Sequence, residues 1–161
     1  EDRIIWGQKF LTAAGHDVLG LQIKRRDWYR DREVITALED LRDDGFFRRF
    51  PAVSMYGSSM GGFGALAFAP LAPGCTVMAF APQRSLDPAL CPFESRYRHA
   101  RLTTDWSLPF GDAAEGLREA AREVGHVGRE TRRDHQDFHR RCTRMIEMMR
   151  SRAFLTTSVS G

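Results

Sequence analysis

An α/β fold with a mainly parallel sheet and flanking helices is predicted by three features of this 161-residue chain. Short apolar runs recur at residues 18–23, 52–56 and 76–81. A stretch with helical spacing precedes each run, and a glycine-rich corner joins the second run to the helix that follows it. Runs that are apolar on both faces fit strands of a parallel sheet, which helices cover on both sides. The alternation of helix and strand, three times within about 80 residues, is the pattern of such a layered sandwich.

Residues 4–14, Ile-Ile-Trp-Gly-Gln-Lys-Phe-Leu-Thr-Ala-Ala, place apolar groups at helical spacing, and Gly15 supplies a helix stop. Val18-Leu19-Gly20-Leu21-Gln22-Ile23 is the first strand, followed by a polar loop over 24–32. The spacing of Val34, Leu38 and Leu41 predicts an amphipathic helix over 33–47, with Asp31 as its N-cap and Pro51 beyond its far end. The second strand at 52–56 leads into a helix over 59–69, and the third strand at 76–81 is closed by Pro82.

After Pro82 the periodicity weakens, and Pro88, Pro92 and Pro109 mark an extended loop or cap. Residues 112–152 read as a charged helical segment, with a last strand candidate in Phe154-Leu155-Thr156-Thr157. The expected organisation is one domain over 1–161: a core over 1–90, a loop or cap region over 91–111, and the charged helical segment over 112–152.

Composition narrows the function classes. The hydrophobic fraction of 42% and charged fraction of 28% are those of a globular domain. No stretch approaches the roughly 18–20 apolar residues of a membrane span, and Glu1-Asp2-Arg3 does not open like a signal peptide, so a cytoplasmic location is expected. Cys75, Cys91 and Cys142 are an odd set without a CxxC pair and read as free thiols. The net charge is only +3, and acidic residues interrupt nearly every basic run, which speaks against nucleic acid as a partner. Arg outnumbers Lys by 22 to 2; a compositional bias accounts for this more simply than anion recognition.

The chemistry-bearing motif is Tyr56-Gly57-Ser58-Ser59-Met60-Gly61-Gly62-Phe63-Gly64, a GxSxG pattern between a short apolar strand and a helix. A sharp turn there lifts the Ser59 hydroxyl above the sheet, and glycines at 57 and 61 relieve the crowding that the turn imposes. Ser59 then sits at a helix N-terminus, where unpaired amides favour negative charge, and the Met60 amide is the first candidate donor to an oxyanion. Ser58 is the rival hydroxyl, but glycines stand at both two-residue offsets only from Ser59. The bland reading is a tight turn with a serine cap.

Over roughly residues 4–90 the order of these elements resembles the α/β-hydrolase family, and residues 57–66, Gly-Ser-Ser-Met-Gly-Gly-Phe-Gly-Ala-Leu, look especially like the corner of its bacterial esterase-like members. The resemblance implies a serine hydrolase acting on a small-molecule ester or thioester. Ser59 is its nucleophile, and acid and base follow in the chain order Ser, Asp or Glu, His. No metal or organic cofactor is implied. Asp87, just after the third strand, is the first candidate for the acid, against a simple turn role before Pro88; Asp105 and Asp112 are weaker candidates that also suit turn caps. His126 is the candidate base. His135 and His139 lie one helical turn apart, a spacing that also suits a metal, but their Arg-rich surroundings read as a solvated helix face. His16 precedes Ser59, against the expected order.

The eight-stranded core of that family needs on the order of 200 residues, and only three strands are plain here. The alternative is therefore an incomplete, non-catalytic hydrolase-like domain. A third reading, an anion-binding module, lacks the Lys-Ser/Thr ending of a P-loop and the full GxGxxG spacing. Arg25, Arg26, Trp28, Tyr29 and Arg30 are expected in a solvated loop with one ring folded onto the core, or else along a substrate site at the sheet edge. A sheet edge left open by absent strands predicts a homo-oligomer.

Overall fold

The computed structural model describes Ile5, residues 7–124 and residues 153–159, with 122–124 and 153–159 described as backbone. His126, His135, His139 and Cys142 lie outside these residues, as does most of the expected charged helical segment.

The chain is mixed α/β. Its elements run α1 (Gln8–Ala13), β1 (Val18–Ile23), α2 (Arg32–Asp43), β2 (Val53–Ser58), α3 (Met60–Ala67), β3 (Thr76–Phe80), α4 (Arg98–Thr103), α5 (Ala113–Val124) and β4 (Ala153–Val159). The four strands form one sheet in the order β1-β4-β2-β3, with every neighbouring pair parallel. The last described strand thus fills the gap between the first two. Its register sets Val18 against Phe154 on one side and Ser54 against Phe154 on the other. All four carboxyl ends consequently share one edge.

β1 has the expected bounds, and its sequence explains why, since Val, Leu and Ile tolerate a buried pleated surface. β2 runs two residues past its expected end, through Gly57 and Ser58, so that strand gives way to helix at a single residue. α1 is shorter than predicted because Gly7 stands in the left-handed region at φ 86° and starts the helix there. α2 stops at Asp43 instead of continuing to 47: Gly45 at φ 69° breaks it, and a separate 3-10 turn follows over Phe46–Arg49. Asp31 caps α2 as expected, its carboxylate accepting from the Glu33 amide at 2.9 Å. The region 91–111 is not loop alone, since α4 lies within it.

The core is organised by α3, which packs across β2, β3 and β4 and is buried from Met60 to Ala65. Phe63 and Phe68 are wholly buried beside Met55, Tyr29 and Leu86, and each such burial is worth roughly 1.5–3 kcal/mol. α5 crosses the outer side of α3 at Gly116. A Cβ there would stand 2.8 Å from the Ala67 carbonyl oxygen and closer still to that of Leu66, so only glycine permits this approach. No helix among the described residues is long and apolar enough to cross a membrane.

Candidate functional site

One residue makes the whole turn from β2 into α3. Ser59 has φ 52° and ψ −119°, a conformation that costs a residue with a side chain about 1–3 kcal/mol. Three contacts impose it. The Ser59 amide donates to the Phe80 carbonyl at 2.8 Å, its carbonyl accepts from the Phe63 amide at 3.0 Å, and Gly62 lets α3 close on the strand ends. A Cβ at Gly62 would meet the carbonyl oxygens of Gly57 and Phe80 at 3.2 and 3.3 Å and the Pro82 Cβ at 3.3 Å. The tight contact at Gly62 is thus with the ends of β2 and β3.

Strain is concentrated at this edge. Among the described residues six without glycine's freedom have positive φ, and four of them, Trp28, Tyr29, Ser59 and Ala81, lie in the turns leaving β1, β2 and β3 at their carboxyl ends. Backbone strain of this kind gathers at sites where a side chain must be aimed.

The Ser59 hydroxyl has one described partner, the Gln83 side-chain amide, whose Nε2 lies 3.4 Å from Oγ. Gln83 is buried, and its orientation is set by a second bond: the Trp28 indole donates to Oε1 at 3.2 Å. With the carbonyl end occupied, it is the amino end that faces Ser59. Ser59 Oγ accepts from it, and the hydroxyl hydrogen remains available to a base. Tyr97, immediately before α4, lies edge-on to Trp28 with ring centroids 4.7 Å apart and covers the Trp28 end of this relay. Gln83 was not singled out from the sequence. The one available signal was its place as the first polar residue beyond β3.

The acid candidates are engaged locally. Asp87 heads a turn: its carboxylate accepts from the Ala89 amide at 2.8 Å, and its carbonyl accepts from Leu90 and Cys91 at 3.1 and 2.8 Å. Asp105 accepts from the Ser107 hydroxyl and amide, which hold its carboxyl below the usual range. Asp112 caps α5 through the Ala114 amide at 2.9 Å, and the Arg84 guanidinium at 2.7 Å holds its carboxyl low. Neither of these two meets Ser59, and both serve as caps. Of the described histidines, His16 is buried at the end of α1 and His99 is exposed on α4, and neither meets Ser59 Oγ.

None of the protein-family models, curated proteins or solved structures compared with the chain matches it. The chemistry of the site therefore rests on its own geometry.

The loop after β1 departs from the expectation of a solvated segment with one ring folded in. Trp28 and Tyr29 are both buried, at 1% and 0% exposure, and so is Arg30, at 5%. Lys24, Arg25 and Arg26 remain in solvent. The reason is the left-handed pair Trp28 and Tyr29, at φ 54° and 57°, which folds the loop back onto the core. Tyr29 packs edge-on against Phe68 at 6.3 Å, while Asp27 accepts from the Tyr29 amide at 3.1 Å. Burial raises the Asp27 carboxyl above its usual range despite that bond. Among the described residues no group of three or more His, Cys, Asp or Glu is placed to hold a metal ion.

Proposed function

We propose that the chain is a serine hydrolase acting on an ester or thioester, with Ser59 as the nucleophile. The observation that carries this reading is the backbone of Ser59, held at φ 52° and ψ −119° where a parallel strand meets a helix. The first amides of a helix have no intrahelical acceptor, and they point at negative charge that develops beside the turn. In the proposed reaction Oγ bonds to the acyl carbon as its proton passes to a base. The carbonyl oxygen becomes an oxyanion, and the alcohol or thiol leaves with that proton. Water then hydrolyses the acyl-enzyme by the same route.

The Met60 amide is the first oxyanion donor. Gln83 Nε2 is the second: Trp28 fixes the amide so that a donor lies beside Oγ, within reach of an oxyanion formed there. A preorganised side-chain donor of this kind is worth about 10²–10³ in rate. His126 remains the proposed base and Asp87 the proposed acid, in the chain order that the resemblance to α/β-hydrolases implies.

A second reading is a hydrolase-like domain without turnover. It is favoured by the partner of Ser59 Oγ, the Gln83 amide, a group that takes no proton from a serine. Labelling of the purified chain with a fluorophosphonate probe separates the two. Rapid labelling that is lost in Ser59→Ala and in His126→Ala supports the hydrolase. Folded protein that labels no faster than its Ser59→Ala variant establishes the non-catalytic domain.

A further inference from the structure

Arg30 presents an unusual balance of charge and contact. Its side chain is buried, yet of its five N–H donors the structure partners only one, on Nη2, with the Leu108 carbonyl. Nε and Nη1 are both sealed from solvent and have no hydrogen-bond acceptor. Nη2 carries two hydrogens and gives one to Leu108, so one of the two forked edges of the guanidinium stays entire. Among the described residues no carboxylate lies within ion-pair distance of Arg30; Asp105 and Asp27 act on it only from farther away.

A second unpartnered donor stands beside it. The guanidinium carbon lies 5.9 Å from the centroid of the Trp106 ring, and the Trp106 indole N–H is also sealed from solvent without an acceptor. The ring is held edge-on to Phe63 at 6.4 Å, one helical turn beyond Ser59 on α3. Gly111 closes the far side: a Cβ there would come 3.7 Å from Arg30 Nη2.

A buried cation held only by the Leu108 carbonyl and the face of the Trp106 ring, with no carboxylate beside it among the described residues, is unfavourable, because its lost hydration is only partly replaced. Burial lowers the pKa of Arg30 only to about 10, so the group keeps its charge at neutral pH. Arg30 Nε and Nη1 and the Trp106 indole N–H, all sealed and all without acceptors among the described residues, together suit a planar anion. We propose that Arg30 and Trp106 form a binding site for the carboxylate of a small molecule, with the guanidinium fork on its two oxygens and the indole N–H on one of them.

The charge selects the ligand class. One guanidinium is neutralised by one carboxylate, whereas a phosphate monoester brings close to two negative charges to a site whose surroundings already hold Asp105 and Asp27. A planar fork also matches the planar carboxylate. Entry requires the segment 105–111 to move aside, since none of the three donor atoms touches solvent. This site does not depend on Ser59 being a nucleophile.

The test is thermal unfolding of the full chain at pH 7 in increasing sodium acetate, with sodium chloride holding ionic strength constant. A saturable rise in Tm is expected. Arg30→Met should abolish the acetate-dependent rise while leaving the acetate-free protein as stable as before or more so, because it removes an unpaired buried charge. Trp106→Phe keeps an aromatic ring but removes the N–H together with part of the indole; it should weaken acetate binding roughly tenfold. No saturable rise in the unchanged protein, or the same rise in both variants, overturns the proposal. Should Arg30→Met fail to fold, Trp106→Phe decides: unchanged acetate affinity in that variant refutes the site.

Discussion

Replacing Ser59 with glycine should stabilise the protein, although it deletes the candidate nucleophile. At φ 52° and ψ −119° the Ser59 Cβ is held in a region where a side chain costs about 1–3 kcal/mol, whereas glycine enters it freely. Against this gain stands the greater freedom of glycine in the unfolded chain, about 0.5–1 kcal/mol. The proper comparison is Ser59→Ala, because both variants lack Oγ and with it the long bond to Gln83. Only the Cβ then differs between them. Ser59→Gly should exceed Ser59→Ala in stability by about 0.5–2 kcal/mol, a shift on the order of 2–6 °C in Tm for a chain of this size. Urea unfolding of both variants measures it as a change in midpoint at constant slope. Equal midpoints, or a more stable alanine variant, would refute the claim that this corner stores strain.

Three further outcomes follow from the packing and the charges. Gly116→Ala should destabilise by roughly 1–3 kcal/mol, since the new methyl meets backbone oxygens of α3 that have little room to retreat; a change below half a kcal/mol in urea unfolding would contradict the close crossing. The Arg84–Asp112 pair should make stability depend on pH: the Asp112 carboxyl is held below its usual 3.8, so its contribution is present above that value and is lost as pH falls through the lower folded value. Comparing Asp112→Asn with the unchanged chain from pH 6 to pH 2 should therefore show a difference under about 1 kcal/mol that shrinks on acidification. Burial raises the Cys75 thiol to about 11, so in the folded chain it should react with a disulfide reagent at pH 8 far more slowly than in urea; equal rates would place it in solvent.

How much of this was readable in the sequence depended on whether the cause was local. The Val18–Ile23 strand, the Asp31 cap and the Ser59 corner rest on residues adjacent in the chain, and each was found where expected. The break of α2 at Gly45 was also local but was outweighed in the sequence reading by the apolar spacing that continues to Phe47. The sheet order was not readable, because the residues 154–157 carry no mark that they pair with both β1 and β2. Burial of Trp28, Tyr29 and Arg30 was missed for a different reason: left-handed backbone at two aromatic residues has no glycine to announce it. Gln83 matters only because Trp28, 55 positions away in the chain, turns its amide.

The place of β4 has a consequence for synthesis on the ribosome. β1 and β2 emerge early, yet the strand that joins them arrives about 70 residues after β3. At 5–20 residues per second the wait lasts roughly 4–15 s. Throughout it, β1 and the facing side of β2 present unpaired strand edges that can capture another nascent chain. The sheet can close fully only after translation has passed residue 159, so growing chains depend on that interval being kept free of encounters.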